Sequence, residues 1–260
     1  MNALEREMVE VLKKLKNEYG VFEIKAEYEN EGSRQDELMR LKDVAGQLDL
    51  PIIMKIGGVE AITDIYNAIT LGVGGIIAPM AETPFAVSKF VNAIDTFVAE
   101  DNRKDIEFAI NVETITSYKN IDEILEVKNL NLVDGVTIGR VDFTASMGKD
   151  RNFVDSEEML QYCTEVFSKC RAKGLKCGLG GAISTDSAEF INKLVDQNLI
   201  DKYETRKIVY HKDAIKNISE GILAGVEFEL LWLKSKQRYY HRIKSEDEKR
   251  IEMLEKRLNG

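Results

Sequence analysis

Two carboxylates stand where an apolar stretch gives out, and they are the first residues in this chain that could do chemistry. Glu113 closes the run Ile106 to Val112, and Asp142 follows the run Val133 to Ile138 after Gly139, Arg140 and Val141. Between the runs, Tyr118, Ile121, Ile124 and Leu125 have the three-and-four spacing of an amphipathic helix. Strand, helix and strand in that order form a parallel pair whose C-terminal ends share one side of a sheet. Glu113 and Asp142 should therefore emerge side by side at one rim. One carboxylate there would be an ordinary helix cap, but two at matching positions are hard oxygen ligands. With Gly135 and Gly139 allowing backbone to approach closely, they suit a divalent cation that holds a small oxyacid.

The elements that position this pair can be read along the chain. Helices are expected at residues 3–18, 34–48, 59–71, 84–99, 156–173 and 185–197, with strands near 21, 52, 75, 107, 134 and 176, and a last strand over Thr205 to His211. The alternation continues without a Pro- or Ser-rich linker, which argues for one α/β domain. Seven strands are counted and a TIM barrel needs eight. Either the first helical region hides a strand or the barrel is incomplete, and an open doubly wound sheet is the second choice.

Charge placement in the first strand favours the barrel. In VFEIKAEYEN, Phe22, Ile24, Ala26 and Tyr28 alternate with Glu23, Lys25 and Glu27. In a parallel barrel the apolar parity faces the helices and the charged parity points inward. Interior charge at that density must be paired or associated with a metal. Ile56-Gly57-Gly58 leads into a helix near Val59, so free amides at a helix N-terminus are offered there to an anion.

Composition narrows the function classes. The 260 residues are 44% hydrophobic and 31% charged, enough for a sizeable core in a soluble domain, and the net charge of −9 argues against general binding to nucleic acid or anionic membrane. The sequence has neither an apolar run of membrane-spanning length nor a signal-peptide core at its start, so a cytoplasmic location is expected. Cys163, Cys170 and Cys177 are odd in number and lack C-x-x-C spacing, and they are read as reduced packing residues. With only His211 and His241 present, a histidine-rich metal site is excluded.

A barrel domain over residues 1–212 is followed by a helical extension over 213–260. In it, Ile215, Ile218, Ile222, Val226, Leu230 and Leu233 have helical spacing. After the basic stretch KSKQRYYHRIK a second helix is expected from Ser245, with Glu248 completing a capping box. An amphipathic helix beyond a finished barrel must cover something, and a homo-oligomer contact through these C-terminal helices is the expectation.

At NVETITSYKNIDEIL and VDGVTIGRVDFTASMG the sequence resembles the HpcH/HpaI aldolase and citrate lyase beta-subunit family, the metal-dependent pyruvate aldolases. LGVGGIIAPMAETPFAV and LPIIMKI look like that family's two preceding strands. The resemblance implies a TIM barrel holding Mg2+ or Mn2+ through Glu113 and Asp142. A pyruvate-like 2-oxo acid would be bound near Asn111, Gly139, Arg140 and Val141. The chain departs from the family pattern in ways that bear on the reaction. Lys55 stands where the family has an arginine, keeping the charge that stabilises an enolate but not the bidentate fork. Glu27-Tyr28 stands where the family has a Glu-His pair, leaving Glu27 or Lys25 for proton transfer. Asn111 replaces the usual glutamine and Arg140 the usual proline; the arginine could add a cation for an acidic substrate.

The expected function is a divalent-metal-dependent carbon–carbon lyase or aldolase that acts on a 2-oxo acid and an aldehyde. The alternatives are a CoA-ester lyase of citryl or malyl type, a lysine Schiff-base aldolase using Lys25 or Lys55, and a non-catalytic barrel that keeps the metal site.

Overall fold

The computed structural model describes residues 1–259 as a closed barrel of eight strands in sequence order. The strands are β1 Val21–Glu27, β2 Ile52–Lys55, β3 Gly75–Ala78, β4 Glu107–Val112, β5 Gly135–Gly139, β6 Lys176–Gly180, β7 Lys202–Glu204 and β8 Ile208–His211. The first seven run parallel, whereas β8 is antiparallel to both β7 and β1. This corrects the count of seven and locates the missing strand. The segment expected as the last strand, Thr205 to His211, holds a turn and β8; the missed strand is β7 just before it, and Thr205 N–H donates to the Ile208 carbonyl across the turn. No strand lies hidden in the first helical region.

Helices cover the outside of the sheet: α1 Ala3–Glu18, α2 Gln35–Gly46, α3 Ile62–Leu71, α4 Pro84–Phe97, the short α5 Glu100–Arg103, α6 Ile115–Lys119, α7 Ile121–Ile124, α8 Arg140–Ser146, α9 Glu157–Ala172 and α10 Ala188–Asp196. Their starts follow from local chemistry. Asn2 and Glu5 form a reciprocal capping box on α1, Thr83 caps α4 with Pro84 in its first turn, and Ser156 caps α9. One helix expected between β4 and β5 is two short ones, α6 and α7, which meet at Asn120. The helix expected from Val59 starts at Ile62, and Gly57 N–H is already taken by the Asp64 carboxylate at 2.7 Å. The anion site expected there is filled by the chain itself.

The charged parity of β1 does point inward. Glu23, Lys25 and Glu27 are buried, and Lys202 Nζ bridges Glu23 and Glu107 at 3.2 and 3.1 Å. Ile53 and Ala109 share the parity of Lys55 and Asn111, and with Ile77 and Val209 they form a small apolar cluster apart from the main core. Phe22 departs from its expected helix-facing side. The register of β1 against β8 slips between Val21 and Glu23, and the bulge packs Phe22 against this inner cluster. All three cysteines are buried and free.

Reversal of β8 delivers the chain to the floor of the barrel, and α11, Ile218–Asn259, climbs from there. It packs antiparallel to α1: Gly221 lies against Tyr19 at the end of α1, and Ser235 accepts from Asn2 at its start at 2.9 Å. The two helices expected in the tail are thus one. Its first half takes the place of the barrel's last helix, so that the 213–260 segment is not wholly an extension. Beyond Ser235, Lys236 Nζ meets Glu37 at 3.1 Å and Tyr240 donates to Glu37, tying α11 to the first turn of α2.

Candidate active site

Parallel neighbours β4 and β5 end beside each other, and Glu113 and Asp142 line one cavity of about 410 Å³ at the C-terminal ends of the strands. The same cavity is lined by Lys25, Glu27, Lys55, Asn111, Gly139 and Val141. Each strand places its polar residue on the inward parity, and Thr114 caps α6 so that the chain turns away immediately after Glu113.

Glu113 is only 2% exposed. Its Oε1 accepts from Met80 N–H at 2.9 Å, and its Oε2 accepts from Asn111 Nδ2 at 3.1 Å. Burial pushes this carboxyl above its ordinary range; Lys55 and the Met80 N–H oppose the rise, while Asp142 and Glu29 add to it. Gly139 is required here, because a Cβ at that position would stand 2.6 Å from Glu113 Oε2. Met80 holds a left-handed backbone at φ 50°, a conformation disfavoured for a side-chain-bearing residue, with its N–H on the carboxylate.

Lys55 Nζ stands 2.7 Å from Glu29 Oε2 and 3.5 Å from Glu113 Oε2. Burial alone would lower its pKa, but Glu113 and Glu29 outweigh that and raise it, so the group remains a cation. Lys25 Nζ lies 2.5 Å from Glu204 Oε1 and 3.5 Å from Glu27 Oε1. Burial again opposes its charge, and Glu204 and Glu27 carry its pKa well above the usual lysine range. Neither lysine is the free amine that a Schiff base requires.

Arg140 is a correction to the expected site. Its side chain is fully buried and turned away from the cavity. Nε donates to the Gly180 carbonyl, Nη1 to the Val154 carbonyl and to Asp155, and Nη2 to the Gly181 carbonyl, while the guanidinium lies 4.7 Å over the Phe190 ring. The Arg140 side chain therefore ties the segment around Val154 and Asp155 to the end of β6, and it does not line the cavity.

Several cavity residues were not anticipated: Glu204, Thr205 and Arg206 from the β7 end and hairpin, Gly180 to Ile183 after β6, and Val226 and Glu229 from α11. A signal existed for the first of these. Lys202, Tyr203 and Glu204 repeat the charged-and-apolar alternation of β1.

Among the described residues no cluster of three or more His, Cys, Asp or Glu side chains is placed to hold an ion. The protein's share of a metal site here would be the two carboxylates Glu113 and Asp142, both of which line the cavity. That donor set fits Mg2+ or Mn2+, which take one or two carboxylates and fill the remaining positions with substrate oxygens and water.

The sequence model of the HpcH/HpaI aldolase/citrate lyase family matches residues 54–193. The chain belongs to that family. The 2-keto-3-deoxy-L-rhamnonate aldolase of Escherichia coli strain K12 is 25% identical to it over 178 residues, 60% of this chain and 64% of that protein. The match thus spans just under two thirds of the relative's length. Among solved structures, the HpcH/HpaI aldolase from Desulfitobacterium hafniense DCB-2 aligns at TM-score 0.58 with 15% identity, over 72% of this chain and 78% of that one. The citrate synthase SbnG aligns at 0.57 with 17% identity, over 74% and 88%. Macrophomate synthase aligns at 0.56 with 14% identity, over 90% of both chains. At these identities the structural likeness speaks to the barrel fold alone. The family that the match names is one of aldolases and citrate lyases.

Proposed function

We propose that this enzyme makes or breaks a carbon–carbon bond next to a pyruvate-like 2-oxo acid, through an enolate stabilised at the mouth of the barrel. The observation that carries the reading is the convergence of Glu113, Asp142 and the charged Lys55 on one cavity. Glu113 and Asp142 would hold the divalent metal, which supplies a Lewis acid for the 2-oxo acid's oxygens when bound. Lys55 contributes a fixed positive charge next to Glu113 for the oxygen on which enolate charge develops. Asn111 holds the Glu113 carboxylate in place, and Gly139 and Val141 form the wall against which the 2-oxo acid lies. Proton transfer falls to the Glu27 and Lys25 pair, and Lys25 remains protonated, which leaves Glu27 as the carboxylate able to accept.

The experiment is exchange of the pyruvate methyl protons with deuterium, followed by NMR, together with turnover on a panel of aldehydes, each with Mg2+, with Mn2+ and with EDTA. Metal-dependent exchange supports the reading; exchange that survives EDTA overturns the metal's part, and absence of both exchange and turnover favours a binding barrel.

A second copy of the chain is the proposed cover for α11. Leu223, Val226, Leu230 and Leu233 form an exposed stripe opposite its buried face, and Ile251, Leu254 and Leu258 continue the same seven-residue register. Glutamate in place of both Leu230 and Leu233 should convert an oligomer to monomer in sedimentation, and an unchanged mass would refute the contact. Among the described residues no helix is long and apolar enough to cross a membrane; we propose a cytoplasmic site of action.

A further inference from the structure

Lys25 has two carboxylates within reach and gives itself to one of them. Its Nζ makes a 2.5 Å charge-assisted hydrogen bond to Glu204 Oε1, while Glu27 Oε1 is 3.5 Å away, too far for a strong bond. The two carboxylates differ in their alternatives. Glu204 is 3% exposed, and its Oε2 is enclosed without any hydrogen-bond partner. An enclosed carboxylate with a single cation is costly to separate from it, so Lys25 is committed to Glu204. Gly180 leaves room for the arrangement, since a Cβ there would approach Glu204 Oε1 to 3.0 Å.

We propose that Glu204 is a positioning residue that occupies Lys25 and so leaves the Glu27 carboxylate free to take and return the proton of the carbon–carbon step. This rests on the lyase reading given above. In the cleavage direction the hydroxyl of a hydroxy-2-oxo acid gives its proton to Glu27 as the carbon–carbon bond breaks. The bonding pair becomes the enolate and the hydroxyl carbon becomes an aldehyde. Glu27 then returns the proton to the enolate carbon, forming the methyl group of the 2-oxo acid, and ends as the carboxylate it began as. If Lys25 were bonded to Glu27 instead, it would hold that carboxylate charged and make it a poor base. The hairpin brings the two residues together, because only β8 separates β7, which carries Glu204, from β1, which carries Lys25.

Other charged groups face Glu27 as well: Lys207 in the hairpin, Glu229 on α11, and Lys25 and Glu204 themselves. The test is therefore built on a comparison that keeps Lys207 and Glu229 constant. Glu204→Gln should release Lys25 onto Glu27, lower kcat about 100-fold with little change in KM for the 2-oxo acid, and move the acid limb of the kcat profile to lower pH. Adding Lys25→Met to Glu204→Gln removes the cation and its lost partner together, and should recover kcat about 10-fold over Glu204→Gln alone. A double variant no faster than the single one would overturn the proposal, as would a Glu204→Gln enzyme with an unshifted pH profile. In protein free of substrate, 13C NMR of labelled glutamate should show Glu27 titrating lower in Glu204→Gln than in the parent. This readout separates the two ideas: a parent inactive on every hydroxy-2-oxo acid refutes the lyase reading, whereas an unmoved Glu27 titration refutes the role of Glu204.

Discussion

Met80 gives its backbone N–H to Glu113 Oε1 at 2.9 Å from a left-handed conformation, φ 50°, so a disfavoured backbone is held against the central carboxylate of the site. A β-branched residue resists that region most. Met80→Val should lower unfolding stability by about 1–2 kcal/mol. Met80→Gly, which keeps the N–H and accepts the backbone, should remain within about 1 kcal/mol of the parent. Urea titration of the three proteins decides between these outcomes.

Arg140→Ala should be the most destabilising single change near the cavity. It would leave the carbonyls of Val154, Gly180 and Gly181 and the Asp155 carboxylate without the donor they share. The loss should be on the order of 3–5 kcal/mol, and Arg140→Lys should recover only a part, because one ammonium cannot reproduce the planar fork. Denaturant midpoints provide the comparison; a substitution tolerated without loss would show that the loops hold without the guanidinium.

Acid should loosen α11 from α1 and α2. Burial pushes Glu5 upward, but the Asn2 N–H and the Arg40 guanidinium outweigh it and leave its pKa below the ordinary carboxylate value of 4.5. A depressed carboxyl contributes stability that is present above 4.5 and is lost as pH falls through the folded value. Glu37 is depressed in the same direction: burial is again overcome, here by Tyr240, the Arg34 N–H and Lys236. Thermal midpoints should therefore fall as the solution is taken below that pH, and Glu5→Gln should flatten the fall. Equal slopes for the two proteins would remove Glu5 from the account.

Removing either carboxylate of the proposed metal pair should weaken Mn2+ binding by about 100-fold or more, measured by electron paramagnetic resonance. Glu113→Gln and Asp142→Asn should each do so, while Glu27→Gln should leave Mn2+ affinity nearly unchanged. Equal weakening by all three would mean that the ion responds to the cavity's total charge and has no defined ligands.

Much of this architecture was legible in the chain because parallel strands carry two independent patterns. Apolar runs such as Ile52 to Met54 and Gly75 to Ala78 mark strands buried on both faces, and the alternating Glu23, Lys25 and Glu27 mark the inward side. The hairpin was harder to see. Thr205-Arg206-Lys207 contains neither glycine nor asparagine, the usual signs of a tight reversal, so the turn read as part of the last strand and the strand before it, Lys202–Glu204, went unread. Without that reversal Glu204 had no visible partner, although it repeats the β1 alternation. The role given to Arg140 failed for a different reason. Spacing placed its Cα beside Asp142, but the direction of a side chain on the first turn of a helix depends on which neighbours offer acceptors, here carbonyls from loops distant in sequence.

The backward final strand also bears on how the cylinder is sealed. Six helical crossovers, each a separate event, link the first seven strands, but the eighth needs only a three-residue turn from the seventh, and short-range pairings of that kind form quickly. The slow event is left to a single join between the first and last strands, some 180 residues apart, with α11 lying along α1 beside it as an outer splint.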